Sequence, residues 1–227
     1  MRILIVGGTG MVGGDAALRL ADLGHDVTIA SRKPLPGGSR LGDMPFERVD
    51  YVNDAADMAM LARFDAVVFA AGNDVRHKPK DAERDDWWAK ANSLSIPRFA
   101  EAARDAGVQH FILIGSFYPQ AAPQLLGKNA YVDSRAAADE GVRALADDSF
   151  RAIVLNAPYI VGHVEGLEQP GARRFTDWAL GRKDAPKTAI PGGVNVISTS
   201  TLTDAIVGAL ERGQNGKAYL IGDQNMS

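Results

Sequence analysis

Short apolar runs alternate along the chain with longer segments in which apolar positions recur every three or four residues. The runs predict strands at 2–6, 26–30, 46–49, 65–70, 110–114, 151–155 and 217–221. The longer segments predict helices at 11–23, 81–106, 130–145 and 201–212. Near-continuous apolar strands that alternate with helices are typical of a parallel sheet covered on both faces. The pattern therefore predicts an α/β fold with a Rossmann-type, doubly wound parallel sheet.

Turn-forming residues indicate where several of these elements end. Gly24 and Gly213 each follow a predicted helix, and Pro97 is expected to break or kink the long helix in the middle of the chain. Thr201 is a good N-cap for the last helix. The segment 33–42 is rich in proline, glycine and serine, and we expect it to be the most mobile loop.

The regular alternation weakens after Asn156, which suggests three parts. Residues 1–156 are predicted to form a dinucleotide-binding Rossmann core, and residues 157–200 a small substrate lobe that includes a helix at 173–180. Residues 201–227 are expected to return to the core as a last helix and strand. We expect the lobe beside the carboxyl edge of the sheet, because ligands of such sheets bind there.

The composition narrows the class of protein. The chain has 227 residues, a net charge of −3 and no cysteine, which excludes disulfides, thiolate metal sites and a cysteine nucleophile. Neither the charge nor the apolar runs indicate a nucleic-acid or membrane partner. His77, His110 and His163 lack metal-ligand spacing, so no metal site is expected. We therefore expect a cytoplasmic protein with a small-molecule substrate, and a homodimer is left open.

Glycines crowd the first predicted strand-to-helix turn. Gly7, Gly8, Gly10 and Gly13 directly follow the strand that ends at Val6. A dinucleotide needs such a turn to be tight, so that its pyrophosphate can approach the backbone and the N–H groups of the helix start. A plain strand-to-helix turn is the alternative. The density of glycine and its place in an alternating chain favour a dinucleotide site.

The end of the second predicted strand indicates which dinucleotide is bound. Ser31, Arg32 and Lys33 follow that strand, whereas NAD-binding proteins usually place a carboxylate there to accept from the ribose 2′-hydroxyl. Arg32 can meet a 2′-phosphate with charge-assisted hydrogen bonds. We therefore expect NADP(H) to be preferred, with NAD(H) as the alternative; a solvated basic loop is the competing interpretation.

Several motifs share the order found in one enzyme family. The spacing Gly7-x-x-Gly10-x-x-Gly13 resembles the extended and atypical short-chain dehydrogenase/reductases, which include nucleotide-sugar epimerases and dehydratases. Further segments that resemble the family are Asp50 and Asp54, Phe69–Gly72, Asn92, Ile112–Ser116, Tyr131–Ala138 and Asn156–Gly162. Together with the basic strand end, the resemblance implies that the cofactor is held by Gly7, Thr9, Gly10, Met11, Val12, Gly13, Ser31, Arg32, Asp50, Ala70, Ala71, Gly72, Asn92, Pro158 and Ile160.

The resemblance also implies a catalytic set. It makes Tyr131 the general acid/base, Ser116 the hydrogen-bond donor to the substrate oxygen, and Arg135 the cation one helical turn from the tyrosine. The family has lysine in place of Arg135, and many extended members have arginine in place of Asn156. Ser200 and Thr201 replace an acidic pair that is common before the late helix. The alternative for Tyr131 and Arg135 is an ordinary pair on the surface of an amphipathic helix.

Two functions remain open from the sequence. The first is an NADP(H)-dependent oxidoreductase or epimerase/dehydratase-like enzyme that acts on a carbonyl or hydroxyl group. The second is a non-catalytic NADP(H)-binding regulator that senses redox state, or an accessory subunit. Tyr118 is a candidate wall of the substrate site, with a packed loop aromatic as the alternative. The candidates for binding a substrate phosphate, or else for a solvated helix face, are Arg173, Arg174, Arg182 and Lys183.

Overall fold

A computed structural model describes residues 1–73, 84–167, 177–182 and 192–226 of the chain. The strands of its main sheet are β1 (Arg2–Val6), β2 (Asp26–Ser31), β3 (Phe46–Arg48), β4 (Ala66–Phe69), β5 (His110–Ser116), β6 (Arg151–Ala157) and β9 (Ala218–Leu220). They are parallel and lie in the order β3-β2-β1-β4-β5-β6-β9. The chain builds outward from β1 and then crosses to β4, so the crevice between β1 and β4 is the point at which a dinucleotide binds in such sheets.

The helices are α1 (Met11–Asp22), α2 (Met58–Leu61), α3 (Arg84–Trp88), α4 (Ser95–Asp105), α5 (Tyr118–Ala121), α6 (Ala130–Arg143) and α7 (Thr199–Arg212). A π-helical turn (Ala89–Leu94) joins α3 to α4, and a short 3₁₀ helix (Pro123–Leu125) precedes α6. Pro97 lies in the first turn of α4, directly after this wider turn. The predicted break in the long helix is therefore a π-helical turn followed by a proline.

Two apolar cores flank the sheet, one on each face. In β1, Leu4 and Val6 belong to one core, whereas Ile3 and Ile5 belong to the other. Residues of α4 and α6 cover the first face, and residues of α1 and α7 cover the second. Because side chains alternate along a strand, both faces of a strand with apolar residues at every position can be buried. The structure confirms the predicted doubly wound Rossmann-type fold.

A second sheet of three strands lies after β6 and was not predicted. It consists of β7 (Tyr159–Val161), β8 (Val194–Ser198) and β10 (Gln224–Met226) in the order β10-β8-β7. Strand β10 belongs to the segment expected to return to the core, yet it pairs antiparallel with β8. The division at 156 and 200 remains a prediction. In the described part of the chain, no helix is both long and apolar enough to cross a membrane.

The structure bears on three local expectations. Ser198 rather than Thr201 caps α7, because β8 runs directly into the helix and the Ser198 hydroxyl accepts from the Thr201 N–H at 3.1 Å. The segment 33–42 is anchored by Leu41, which is buried against Gly14 of α1. Of the helix predicted at 173–180, residues 177–179 are helical, and 173–176 lie outside the described residues.

Candidate functional site

The glycine turn is packed so closely that side chains would collide with backbone. Gly7 has φ +88°, and its N–H donates to the Ala30 carbonyl at 2.8 Å. A Cβ on Gly7 would come within 2.9 Å of the backbone of Ala70 and Ala71, in the loop after β4. A Cβ on Gly13 would overlap the Gly7 carbonyl oxygen. These glycines let β1, α1 and the loop after β4 meet around one crevice, as a dinucleotide turn requires.

The start of α1 presents free backbone donors at this crevice. Gly10 is the N-cap and supplies no side-chain cap, so the first N–H groups of the helix are left for another acceptor. Met11 and Val12 are half-buried in the first turn, and Thr9 is half-buried just before it. A 12-residue helix with its N-terminus at the β1–β4 crevice fits the pyrophosphate of a dinucleotide.

The end of β2 supplies the basic residues expected beside the adenosine. Arg32 is exposed, and it forms no ion pair with any residue that the structure describes. The Ser31 hydroxyl already uses its proton in a hydrogen bond, which it donates to the Lys33 carbonyl at 2.6 Å. Arg32 is thus the side chain best placed to reach an added phosphate.

Asp50, one of the residues expected to hold the cofactor, is bound by its own loop. Its carboxylate accepts from the backbone N–H groups of Val52 and Asn53 at 3.2 Å and from the Asn53 amide at 3.0 Å. Burial opposes ionisation of Asp50, but these hydrogen bonds and the nearby charge of Arg32 outweigh it, so the pKa of the carboxyl is lowered. Asp50 stays negative at neutral pH while it stabilises the loop after β3.

The loop after β4 is held by Asn92, which lies on the π-helical turn and is fully buried. The Asn92 amide accepts from the Asn73 N–H at 3.2 Å and donates to the Asn73 carbonyl at 3.1 Å and to the Ser134 hydroxyl at 3.1 Å. Its polar atoms therefore bind the loop and α6. The structure places Asn92 behind Ala71 and Gly72, where it positions that loop; its predicted contact with the cofactor remains a prediction.

Tyr51, which the sequence analysis did not single out, braces the same loop. Its hydroxyl donates to the Ala71 carbonyl at 2.8 Å and accepts from the Asn73 amide at 2.5 Å. Burial raises the pKa of Tyr51 to about 12, although the Arg135 charge acts in the opposite direction. Tyr51 is therefore a neutral donor at physiological pH. An aromatic residue directly after Asp50 in the sequence was the signal that could have predicted a buried side chain here.

Arg135 lies in the middle of the site, under the loop after β4. It is 6 % exposed, and one of its terminal nitrogens donates to the Ile114 carbonyl of β5 at 2.7 Å. A Cβ on Gly72 would overlap the other terminal nitrogen, so glycine is needed there to admit the guanidinium. Within the described chain Arg135 has no carboxylate partner, and its Nε is buried without an acceptor.

Ser116 and Tyr131 lie at the ends of β5 and α6 that approach this region. Ser116 is buried, and its hydroxyl is 3.5 Å from the Tyr118 N–H. Tyr131 lies in the first turn of α6 after the Asn129 cap, and its ring packs edge-on against Trp88 with centroids 5.5 Å apart. In the part of the chain that is described, the Tyr131 hydroxyl forms no hydrogen bond to Ser116 or Arg135. The shared catalytic role of Ser116, Tyr131 and Arg135 remains a prediction.

A buried polar cluster lies further along α6. The Asn156 amide of β6 donates to Asp139 at 2.7 Å and to Gln120 at 3.0 Å, and Arg143 also donates to Asp139. Asn156 is 1 % exposed, and the oxygen of its side-chain amide rests against Gly115. The cluster fixes α6 to β5 and β6. Sequence reasoning noted Asn156 only as a departure from arginine, because the partners are distant in the chain.

The remaining expected site residues lie on the substrate side of the sheet. Pro158 is buried between β6 and β7, and Ile160 of β7 pairs with Ile197 of β8. Tyr118 is 40 % exposed, and its ring packs on Phe117.

Only some of the candidate phosphate-binding residues and histidines lie in the described part of the chain. Arg182 forms an ion pair with Asp177 at 3.5 Å, whereas Arg173, Arg174 and Lys183 lie outside the described residues, as does His77. Among the residues that are described, no group of three metal-ligating side chains occurs.

Comparison with known proteins gives a consistent result. The model of the NAD dependent epimerase/dehydratase family matches residues 3–222. A search of curated proteins returns no match. Similar solved structures include the dTDP-glucose 4,6-dehydratase DesIV of Streptomyces venezuelae, at 19 % identity and a TM-score of 0.76, covering all of this chain and 77 % of that one.

Two further structures show the same likeness. The UDP-N-acetylglucosamine 4-epimerase of Bacillus cereus is 16 % identical with a TM-score of 0.73, over 98 % of this chain and 75 % of that one. A nucleoside-diphosphate-sugar epimerase of Pseudomonas aeruginosa is 23 % identical with a TM-score of 0.70, over 99 % and 72 %. At these identities the likeness shows a shared fold.

Proposed function

The chain belongs to the NAD-dependent epimerase/dehydratase family, and we propose that it transfers a hydride between NADP(H) and a carbonyl or hydroxyl carbon, with Tyr131 as the general acid/base. Members of this family are NAD(P)-dependent enzymes, and the chain is one of them. Beyond the family membership, we propose the cofactor preference, the role of Tyr131 and the substrate.

The residues present fit a nicotinamide dinucleotide. The crevice at Gly7 and Gly13 exists only because both lack a Cβ, and the uncapped start of α1 faces it. The exposure of Arg32 at the end of β2, without an ion pair to another described residue, supports recognition of an adenosine 2′-phosphate. When bound, the nicotinamide ring takes up or gives the hydride. The chain's own residues bind the two ends of the cofactor and handle the proton.

The observation that carries the proposal is the placement of Arg135 over Gly72. This contact joins α6 directly to the loop after β4, which borders the glycine turn. Tyr131 is one helical turn before Arg135, so it lies on the same side of α6. The helix that bears the candidate acid/base thereby packs against Gly72 at the edge of the crevice, and a buried hydrogen bond to the Ile114 carbonyl holds it to β5.

The proton transfer follows from these positions. In oxidation, the phenolate of Tyr131 accepts the proton of the substrate hydroxyl as the hydride leaves the same carbon. In reduction, the Tyr131 hydroxyl donates that proton to the carbonyl oxygen as the hydride arrives. Ser116 donates a hydrogen bond to the substrate oxygen, and Arg135 supplies a fixed positive charge one helical turn from Tyr131. Burial of Ser116 and Arg135 keeps water away from both.

Substitution of Tyr131 tests the mechanism. We expect Tyr131→Phe to reduce kcat by about 10²–10⁴-fold, the usual contribution of a positioned acid or base, and to leave NADPH affinity unchanged. The matched control is Tyr159→Phe, since Tyr159 is 63 % exposed on β7. Turnover is measured as NADPH consumption with a panel of carbonyl compounds, and affinity by calorimetric titration. A Tyr131→Phe variant as active as the parent excludes the assignment.

A second candidate function is favoured by Arg135 itself. Its guanidinium replaces the lysine of the family and is bound to the Ile114 carbonyl, which suits a non-catalytic NADP(H)-binding regulator or accessory subunit as well as an enzyme. The two functions differ in one result. A parent protein that binds NADPH tightly and consumes none with any carbonyl in the panel supports the regulator. The homodimer that the sequence leaves open requires a separate measurement of mass in solution.

A further inference from the structure

A groove of about 620 Å³ opens beside the carboxyl edge of the main sheet. One wall begins at Phe117, which directly follows Ser116, and continues to Ala121 of α5. The opposite wall comes from the end of β9 and from the second sheet. The Phe117 N–H donates to the Ala157 carbonyl, and the Ile221 N–H donates to the Asn156 carbonyl. Both walls are thus tied to the end of β6, and Phe117 of the groove directly follows Ser116.

Every described residue that lines this groove is uncharged. They are Phe117, Ala121, Gly193, Val194, Asn195, Leu220, Ile221, Gly222, Asn225 and Met226. Three of the apolar side chains are half or nearly half exposed: Leu220 at 55 %, Met226 at 51 % and Val194 at 43 %. A cavity of this size with apolar walls and a few polar groups has the usual character of a small-molecule site.

The polar groups of the groove are amides. The side-chain amide nitrogen of Asn195 in β8 donates to the side-chain amide oxygen of Asn225 in β10 at 2.8 Å. The carbonyl oxygen of Asn195 is buried without a hydrogen-bond donor and rests against Gly222, where a Cβ would overlap it. The pair can hydrogen-bond a hydroxyl or a carbonyl, but it carries no charge to neutralise an anion.

A carboxylate directly follows the groove residue Gly222 in the chain. Asp223 follows Gly222 and accepts from the Ser198 N–H at 2.8 Å. A nucleoside diphosphate carries negative charge that binding sites neutralise with arginine, lysine or a metal ion. Arg182, a described candidate for that role, is paired with Asp177. The described walls therefore oppose a diphosphate and favour an uncharged, largely apolar group.

From this lining we infer that the enzyme acts on a neutral carbonyl compound, or the matching alcohol, whose apolar chain lies between Phe117, Leu220 and Met226. This inference rests on the proposed function, because Tyr131 must protonate the carbonyl oxygen while NADPH supplies the hydride. The ketone is reduced to a secondary alcohol and NADPH is oxidised to NADP⁺, with one proton taken up.

A chain-length series tests the inference with the complete protein. The probes are unbranched methyl ketones from 2-butanone to 2-octanone, assayed with NADPH. Burial of each additional methylene should raise kcat/KM by about fourfold. Leu220→Asn should flatten this dependence, so that kcat/KM falls most, relative to the parent, for 2-octanone. The matched control is Leu23→Asn, since Leu23 is 46 % exposed at the end of α1, far from the groove.

A binding experiment separates this inference from the proposed function. The NADP⁺ complex is titrated calorimetrically with 2-octanone and, separately, with UDP-glucose. Binding of 2-octanone that Leu220→Asn weakens and Leu23→Asn does not supports the groove, even if no ketone is reduced and the enzymatic proposal fails. Turnover of 2-butanone without any chain-length dependence overturns the inference and leaves the enzymatic proposal standing.

Two other outcomes also overturn it. Tighter binding of UDP-glucose than of 2-octanone would show that cations outside the described walls accept a diphosphate. A parent protein that is dimeric in light scattering, and that Leu220→Asn converts to a monomer, would show that a second copy of the chain occupies the groove.

Discussion

The glycine turn and the reactive end of the site are built in different ways. At the turn, Gly7 and Gly13 contribute backbone without side chains, and the backbone of Ala70 and Ala71 packs against Gly7. At the reactive end, Ser116, Tyr131 and Arg135 come from a strand and a helix, and they depend on the loop after β4. The turn is a local structure, whereas the reactive end exists only when separate elements are packed together.

The difference determines how each region should fail. A turn made of close backbone contacts has no room to adjust, because protein interiors are packed as densely as organic crystals. The reactive end is held by individual hydrogen bonds of Arg135, Asn92 and Asn156, and the loss of one of these leaves the others. Substitutions at the turn should therefore affect folding and cofactor binding together, and those at the reactive end should separate stability from turnover.

Gly13→Ala should have the largest effect. Its Cβ would overlap the Gly7 carbonyl oxygen, and a backbone atom cannot move aside as a side chain can. We expect a loss of at least about 3 kcal/mol in the free energy of unfolding, together with loss of NADPH binding. Urea denaturation and calorimetric titration measure the two effects.

Gly10→Ala is the matched control at the same turn. A Cβ there meets only the Gly7 carbonyl oxygen, at 3.3 Å, and the backbone of Gly10 is extended with φ −98°. Its free energy of unfolding should stay close to that of the parent. Equal destabilisation by the two substitutions would contradict the packing argument.

Arg32→Ala should affect only the cofactor. Removal of a charged hydrogen-bonding partner of this kind typically costs about 1.5–3 kcal/mol, or roughly one to two decades of affinity for NADPH. Affinity for NADH should change little, because NADH has no 2′-phosphate. Titration of both cofactors against parent and variant measures this, with Lys33→Ala as the control. Equal affinity of the parent for NADH and NADPH would remove the basis of the prediction.

Arg135→Lys should separate stability from catalysis. The ammonium keeps the charge, but its stem ends one bond short of the nitrogen that donates to the Ile114 carbonyl. We expect the free energy of unfolding to fall by about 1.5 kcal/mol, while kcat is kept or raised because the family uses lysine here. Arg143→Lys, on the same helix, is the control. A hundredfold loss of kcat at unchanged stability would show a specific catalytic role of the guanidinium.

Asp65→Asn should have the smallest effect on stability. Asp65 lies outside both regions of the site. Arg2 donates to Asp65 at the amino edge of the sheet and lowers the pKa of that carboxyl. The ion pair therefore stabilises the fold above the ordinary pKa of aspartate and is lost as pH falls through the lowered value. The variant should melt slightly earlier than the parent at neutral pH and equally near about pH 2. A difference that persists in acid would exclude the charge as its cause.

Prediction from sequence was most successful where the signal was local. The strands of the main sheet were identified because a strand buried on both faces must be apolar at nearly every position, as in β1 and β5. The second sheet was missed because it lies where the regular alternation weakens, and because two of the three residues of β10 are polar. Tyr51 and Asp139 were missed because each is defined by partners distant in the chain.

The sequence by itself determined the fold class and the glycine turn, since apolar alternation and glycine spacing act within a few residues of the chain. Only the tertiary structure decided that Asn92 binds the Asn73 backbone, that Gly72 makes room for Arg135, and that Phe117 and Leu220 line one groove. The physical reason is that burial and hydrogen bonding depend on which distant segments come into contact. A one-dimensional pattern specifies which side chains must be buried, but not which partners they find there.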